Sequence, residues 1–423
     1  MKSEIMNRVH MIRAGKAPEG YKQTKTGILP KEWGVVELNR VSDRIQRSND
    51  GSNHPVLTIS SSGGFLNQSE RFSKIIAGEN LKKYTLLYKD EFSYNKGNSK
   101  TYPCGCIFKL EEYETAVIPN VYYSFNIPND SKEFYKHYFS SGKLNKQLSR
   151  IINTGVRNDG LLNLSAEEFF KCKIINPSFA EQQKIATILS TCDKAITLSE
   201  QLVEEKKRQK KGLMKKLITG AVRLSGFEGE WEDVQLGEVA DMNSGGTPKS
   251  TVTEYYDGEI PWVSIADMTK KGKYIYSTER NISRLGLGNS SARLYPKETV
   301  LYAMYASIGQ CSISKVELSS SQAILGIRPK SVLNNEFLYF NLLLQREKLK
   351  LQGQTGTQAN LNAGMVKEIV IRLPDINEQE AIVSILLTSE NEIELLESKL
   401  KSLKLQKKGL MQLLLTGIVR VPC

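Results

Sequence analysis

The sequence predicts a mixed α/β chain: two pseudo-symmetric α/β bodies separated by two long antiparallel coiled-coil helices. Three observations carry that expectation. The phrase KKGLMKKLITG at 210–220 returns as KKGLMQLLLTG at 407–417, and laying Ile174–Leu224 over Ile371–Val421 without a gap leaves about 23 of 51 pairs identical. Both repeated stretches carry apolar residues at helical spacing. The regions before them hold short β-prone runs (CGCIFKL, TAVIP, IPWVSIA, TVLYAMYASIG) broken by Gly, Asn, Ser and Pro. A repeat this long is the size of a domain rather than of a solenoid unit, so it reads as a duplicated body plus helix.

Taken in order, residues 1–17 are an N-terminal extension with no assignable role, and 18–176 are the first body. That body opens on GILPKEW, diverges over about 39–153, and is predicted to contain a helix at Glu133–Arg150 before Asn163-Leu164. The first long helix occupies 177–220. Pro177 sits where a helix begins, Glu181-Gln182 falls in the first turn, and Gly220 stops it. The second body, 221–373, opens on GFEGEW, diverges over about 237–354, and is predicted to be helical at Asn335–Leu351 before Asn360-Leu361. The second long helix lies in 374–423, with Pro374, Glu378-Gln379 and Gly417 in the equivalent places.

In the second helix Ile393, Leu396, Leu400, Leu403, Lys407, Leu410 and Leu414 repeat at alternating spacings of 3 and 4, a heptad seam with one lysine in it. Ile196, Ser199, Val203, Lys206, Lys210, Leu213 and Leu217 form a weaker version in the first. Gly212 and Gly409 fall inside the pattern, where glycine costs about 1 kcal/mol against alanine. Their repetition predicts the close approach of another backbone. Each helix runs about 40 residues, roughly 60 Å, and needs a partner for its stripe. Charge selects the direction. Lys206, Lys207, Arg208, Lys210, Lys211, Lys215 and Lys216 crowd the C-terminal half of the first helix. Glu378, Glu380, Glu390, Glu392, Glu394 and Glu397 crowd the N-terminal half of the second. Antiparallel packing opposes these blocks, whereas parallel packing would face lysines with Lys404, Lys407 and Lys408. Single surface ion pairs contribute little, so charge sets direction and the seam supplies stability.

Lys and Arg number 58 against 46 Asp and Glu, a formal charge of +12 that suits a polyanion as well as it suits a solubilising surface. Of six cysteines only Cys104 and Cys106 stand close together. One C-x-C without nearby histidines is a strand with two small residues, not a zinc site. No signal peptide or apolar run of about 18 residues appears, so reduced cysteines in the cytoplasm are expected. No metal site is expected either: His10, His54 and His137 are the three histidines, and none is in ligand spacing with another. GGTPKS lacks the spacing of a phosphate loop, and LGLGNSS is a broken dinucleotide fingerprint that reads as a surface loop.

What remains is polar, basic and aromatic. SYNKGNSKTYP (93–103) places Asn95, Lys96, Asn98, Ser99 and Lys100 between Tyr94 and Tyr102. The second body offers Thr247, Lys249 and Ser250 in SGGTPKST, and Lys270, Lys271 and Lys273 in MTKKGKYIY. Tyr305, Ser307 and Gln310 in LYAMYASIGQ, together with Gln322, complete its set. Lys and Arg match phosphates and guanine edges, Asn and Gln match adenine, and Ser or Thr serve either. The same residue types also build ordinary turns.

These segments together resemble the specificity subunit of type I restriction–modification systems, over nearly the whole chain. The resemblance rests on GILPKEW and GFEGEW, on SGGTPKS followed by YYDGEIPWVSIADM, on TGTQANLN leading into I-x-L-P-x-x-x-EQ-x-x-I, and on KKGLM leading into L-x-TG. The first half reads TGVRNDGLLNL where the second reads TGTQANL, four residues longer, with Arg157 in place of Gln358. The resemblance implies that each body is a target recognition domain reading one half of a split, asymmetric DNA sequence. It implies that the helices set the non-specific gap and dock two adenine-methylating modification subunits, and that a separate motor subunit translocates and cleaves. S-adenosylmethionine, ATP and Mg would belong to those partners, with no cofactor in this chain and no catalysis by it. Two alternatives stand beside this reading: the specificity chain of a system whose catalytic subunit fuses methylation and cleavage, and a coiled-coil scaffold that binds proteins.

Overall fold

A computed structural model describes residues 2–60, 64–68, 78–97, 101–152, 161–305, 307–352 and 361–422. The chain forms two compact units, one of Met1–Ser199 with Lys399–Cys423, the other of Glu200–Ser398. The long helices, Phe179–Ile218 and Ile376–Leu414, are each divided between the units near their midpoints.

Both units are built on one frame. The strand after the first tryptophan, Gly34–Glu37, pairs antiparallel with Lys173–Asn176, which leads into the first helix. In the other unit Glu232–Gln235 pairs with Val370–Leu373 in the same register, Val234 opposite Ile371 as Val36 is opposite Ile174. The repeated Glu-Gln dipeptides tie this frame to the helices. Trp33 Nε1 donates to Glu181 Oε2 at 2.8 Å, and Arg420 donates to both oxygens of that carboxylate at 2.7 and 3.0 Å. In the second unit Trp231 Nε1 donates to Glu378 at 3.0 Å, and Arg223 forks onto it with two bonds of 2.8 Å. The neighbouring glutamines, both fully buried, accept from Ser131 N and Asn334 N at 2.9 Å and donate back to the Pro177 and Pro374 carbonyls. Such buried charges persist because each is paired and hydrogen-bonded.

In the first unit the main sheet is antiparallel in the order Asp43–Ile45, Tyr123–Asn126, Phe92–Asn95, Cys106–Lys109. Phe92, Tyr94, Phe125, Phe134, Phe139 and Phe169 form an aromatic core above it. The single helix expected at Glu133–Arg150 is two, Lys132–Ser140 and Asn145–Ile151. A turn at Ser141–Leu144 separates them and lets Leu148 join the core. The N-terminal extension is also placed: Lys2–Arg13 is helical, and Arg8 donates to the Ile418 carbonyl at 2.7 Å. In the second unit the main sheet runs Ala240–Ser244, Ile324–Pro329, Val300–Ala303, Cys311–Ser314, Tyr274–Ile275, backed by the helix Asn335–Gln352. The LGLGNSS stretch, expected as loop, begins inside a short helix, Arg284–Gly288, capped by Ser283. The strand expected to carry both close cysteines holds only Cys106, at its start; Cys104 lies in the turn before it, both are buried, and burial pushes the Cys106 thiol up to about 11.

The long helices pair antiparallel in each unit. Lys206, Lys207 and Lys210 meet Glu392, Glu397 and Glu390 at 2.6, 2.9 and 2.6 Å in the second unit, and Lys407 meets Asp193 in the first. Val203, Leu217, Ile393 and Leu414 of the seam are buried; Ile196, Leu213, Leu396, Leu400, Leu403 and Leu410 are half-buried. Leucines off the seam, such as Leu198 and Leu395, are exposed. The repeated glycines correct one expectation. A Cβ added at Gly212 or Gly409 would meet nothing within 4 Å, so no second backbone approaches there. At the helix ends, Gly220 and Gly417 adopt φ of +68° and +65°, the left-handed stop that the sequence predicts.

Candidate nucleic-acid interface

The second unit gathers its polar segments at one end of the five-stranded sheet. Ala240–Ser244 leaves the sheet where Ile324–Pro329 enters it, Ser244 opposite Leu325. Val300–Ala303 leaves at the same end, Ala303 opposite Ile324, and Cys311–Ser314 enters there, Cys311 opposite Tyr302. Residues 245–250, 304–305, 307–310 and 321–323 therefore share that end. The turn before Tyr274 joins them: Ile313 N donates to Lys273 O at 2.7 Å, and Ser312 Oγ donates to Gly272 O at 2.6 Å.

Loop 245–250 is braced from beneath. Gly246 N donates to Ser320 O at 2.9 Å, Trp262 Nε1 donates to Gly246 O at 3.0 Å, and Tyr256 OH donates to Pro248 O at 2.6 Å. A Cβ on Gly245 would lie 2.3 Å from Ser320 O, and one on Gly246 would lie 2.2 Å from Ala292 N. Only glycine lets the loop rest on those backbones. Thr247, Lys249 and Ser250 are thereby held exposed, and the Lys249 side chain has no partner among the described residues. Tyr305, at 40% exposure, and exposed Gln322 stand on the neighbouring loops. Ser307 is half-buried, its carbonyl accepting from Gln310 N at 2.9 Å, and Gln310 Nε2 reaches Met268 O at 3.5 Å. Sequence reasoning passed over exposed Ser291, which the stretch after Arg284–Gly288 brings against Gly246, and exposed Arg293 two residues on. No motif marks them.

One lysine of this unit needs correction, and two others have partners of their own. Lys273 is a structural anchor, only 12% exposed, bonding Glu390 at 2.7 Å and Glu336 at 2.8 Å and lying 4.5 Å from the centre of the Phe340 ring. Lys270 is exposed but paired with Glu279, and Lys271 bonds Ser277 Oγ at 2.7 Å.

The first unit has the same hairpin with a different tip. Phe92–Asn95 and Cys106–Lys109 correspond to Val300–Ala303 and Cys311–Ser314, with Tyr94 opposite Ile107 and Tyr302 opposite Cys311. Leu162 N donates to Lys96 O at 3.0 Å, as Leu361 N donates to Met304 O at 3.3 Å. Two expected contact residues here belong to the interior. Tyr94 is fully buried, stacked 4.5 Å from Phe169, its hydroxyl given to Cys104 O at 2.8 Å. Lys96 is 8% exposed, its ammonium 3.3 Å from Tyr123 OH and 4.8 Å from that ring's centre. A cation so placed gains about 1–2 kcal/mol from the ring and is not free for a ligand. Asn95 braces the turn, donating to Ile59 O at 3.1 Å and accepting from Gly97 N at 2.8 Å. Asn98, Ser99, Lys100 and Arg157 lie outside the described residues.

Exposed hydroxyls, amides and one unpaired ammonium on braced loops can meet phosphates and base edges. No group of three or more His, Cys, Asp or Glu among the described residues could hold a metal ion. No helix among them is long and apolar enough to cross a membrane.

A family model described as the type I restriction modification DNA specificity domain matches the chain twice, at residues 30–207 and 228–405. The MjaIX type I restriction enzyme specificity subunit of Methanocaldococcus jannaschii is 30% identical over 44% of this chain, an alignment spanning 43% of that relative's own length. The putative MjaX specificity subunit of the same organism is 24% identical over 95% of this chain and 97% of the relative. The solved S subunit of a type I restriction–modification system from M. genitalium has a TM-score of 0.53 at 14% identity, covering 90% of this chain and 96% of that one, a likeness of fold.

Proposed function

Since the chain belongs to the type I restriction modification DNA specificity family, we propose that it selects the DNA target of a restriction–modification complex and catalyses nothing itself. Each body reads one half of a bipartite, asymmetric sequence, and the paired helices set the unread gap and dock two adenine-methyltransferase subunits. S-adenosylmethionine serves those subunits, ATP and Mg serve a motor subunit, and the assembly works in the cytoplasm.

One observation carries the reading. The two units share their frame, their Trp-Glu-Arg clamp and their hairpin, yet differ in the sequences that join the hairpin strands, GNSKTYPCG in one and YASIGQ in the other. A common frame with unlike tips is what reading two different half-sites requires. The test is to replace residues 237–354 with the body of a relative and sequence methylated adenines in the host DNA. One half of the motif is expected to change while the other stays. A change in both halves rules out modular reading, and no methylation despite a folded, assembled complex rules out the role itself.

A further inference from the structure

The first unit contains a cleft of about 340 Å³ between the Tyr21–Pro30 hairpin, the helix Asn145–Ile151 and the end of the second long helix. Its charged lining is all of one sign: Lys25, Lys143, Lys146 and Arg150, without a single carboxylate. None of these four side chains has a partner among the described residues. The Asn145–Ile151 helix holds two of them in place. Gln147, on that helix, grips the Lys173 backbone with both ends of its amide, donating at 2.6 Å and accepting at 2.9 Å, which fixes the helix that carries Lys146 and Arg150.

Lys143 is the telling residue. It is half-buried, and burial pushes its ammonium below the ordinary lysine range with nothing opposing that shift. Buried charges are normally paired, because taking an ammonium out of water without a counter-charge is costly. The position follows the helix Lys132–Ser140, where a lysine could instead satisfy terminal carbonyls. Its Nζ makes no such bond, and Ser141 N and Gly142 N, with the Ser140 and Ser141 hydroxyls, already reach those carbonyls. We propose that this cleft binds a phosphate group, held by Lys143 at its floor and by Lys146, Arg150 and Lys25 at its mouth. A phosphate, with several acceptor oxygens and up to two charges, makes fuller use of four converging cations than a single chloride does.

Two sources carry this chemistry: a free phosphate ester, or a DNA backbone phosphate. The second rests on the DNA-reading function above; the first does not. The probe is pyrophosphate, titrated into the purified full-length chain by calorimetry, with sodium chloride matched for ionic strength as control. Saturable binding is expected in the wild type, weakened at least tenfold by K143Q and by R150Q. K143Q relieves a half-buried unpaired charge and is expected to fold, and circular dichroism checks both variants. A DNA arm then assigns the source. If pyrophosphate competes with duplex DNA and R150Q flattens the salt dependence of DNA binding by about one unit, the phosphate is the backbone's. If pyrophosphate binds while DNA affinity is untouched by either variant, it is a free ester. Pyrophosphate binding no stronger than the chloride control, or unchanged in both variants, overturns the proposal whatever DNA does.

Discussion

Replacing Glu378 with glutamine keeps the side chain's size and removes its charge, which isolates what the buried clamp contributes. The carboxylate is 2% exposed and accepts three bonds, two from Arg223 at 2.8 Å and one from the Trp231 indole at 3.0 Å. A glutamine can accept from one of these donors, but its own NH₂ then faces another. Removing one partner of a fully buried ion pair costs about 3–5 kcal/mol. Arg223 retains 32% exposure, so the guanidinium can recover part of its hydration, and about 2–3 kcal/mol is the expected loss. For a unit of this size each kcal/mol moves Tm by roughly 2–4 °C, so E378Q should lower it by about 4–12 °C. Thermal unfolding followed by circular dichroism reads the shift. A double-mutant cycle with R223Q isolates the pair, with an expected coupling of about 1–3 kcal/mol. The equivalent clamp at Glu181 and Arg420 should behave alike, because its geometry is the same. A shift below about 1 °C, or additive effects in the cycle, would refute the reasoning that the repeated Glu-Gln and Val-Arg dipeptides exist to close this clamp.

His137 is buried, with Nε2 3.1 Å from Ser190 Oγ and Nδ1 3.6 Å from Asp193. Burial holds it down from 6.5 to about 4, with Lys407 and Lys136 adding to the effect and Asp193 opposing it. The unfolded chain therefore takes up this proton first, so the stability is complete above pH 6.5 and is lost as pH falls toward 4, by about 3 kcal/mol in total. Urea midpoints of wild type and H137Q should converge across that range, and parallel profiles would contradict the assignment. K249A removes the one unpaired ammonium on the braced loop; a phosphate contact predicts uniform weakening and a salt slope flatter by about one unit, a base contact a loss of about 1–3 kcal/mol at one position. K96A should leave DNA affinity unchanged while lowering stability, because its ammonium lies over Tyr123. Four residues inserted at both Ser199/Glu200 and Ser398/Lys399, the divisions between the units, lengthen both helices by about 6 Å and rotate the downstream half of each by about 40°. Methylated half-sites are expected to persist with a gap one or two base pairs longer; an active complex with the old gap would show that the helices dock partners without setting the spacing.

The sequence by itself determined the duplication, the two bodies, the long helices with their stops, and their antiparallel sense. These are periodic or local properties: heptad spacing, caps and blocks of like charge act over a few turns, and all are visible along a line. The polar runs at the sheet end were legible as loops, 247–250 in SGGTPKST and 307–310 in LYAMYASIGQ, although Leu301, Tyr302, Ala303 and Met304 at the start of the second run belong to the core. Their individual members were not. Tyr94, Lys96 and Lys273 have the composition of a contact surface, yet Phe169, Tyr123 and Glu390 cover them, partners that lie 75, 27 and 117 positions away in the chain. The glycines show the same limit from the other side: Gly212 and Gly409 repeat without any close neighbour, while Gly245 and Gly246 are fixed by backbones at Ser320 and Ala292. Which side of a loop faces inward, and which carboxylate an arginine more than 150 positions away will reach, depends on burial between distant segments, and only the tertiary structure decides that.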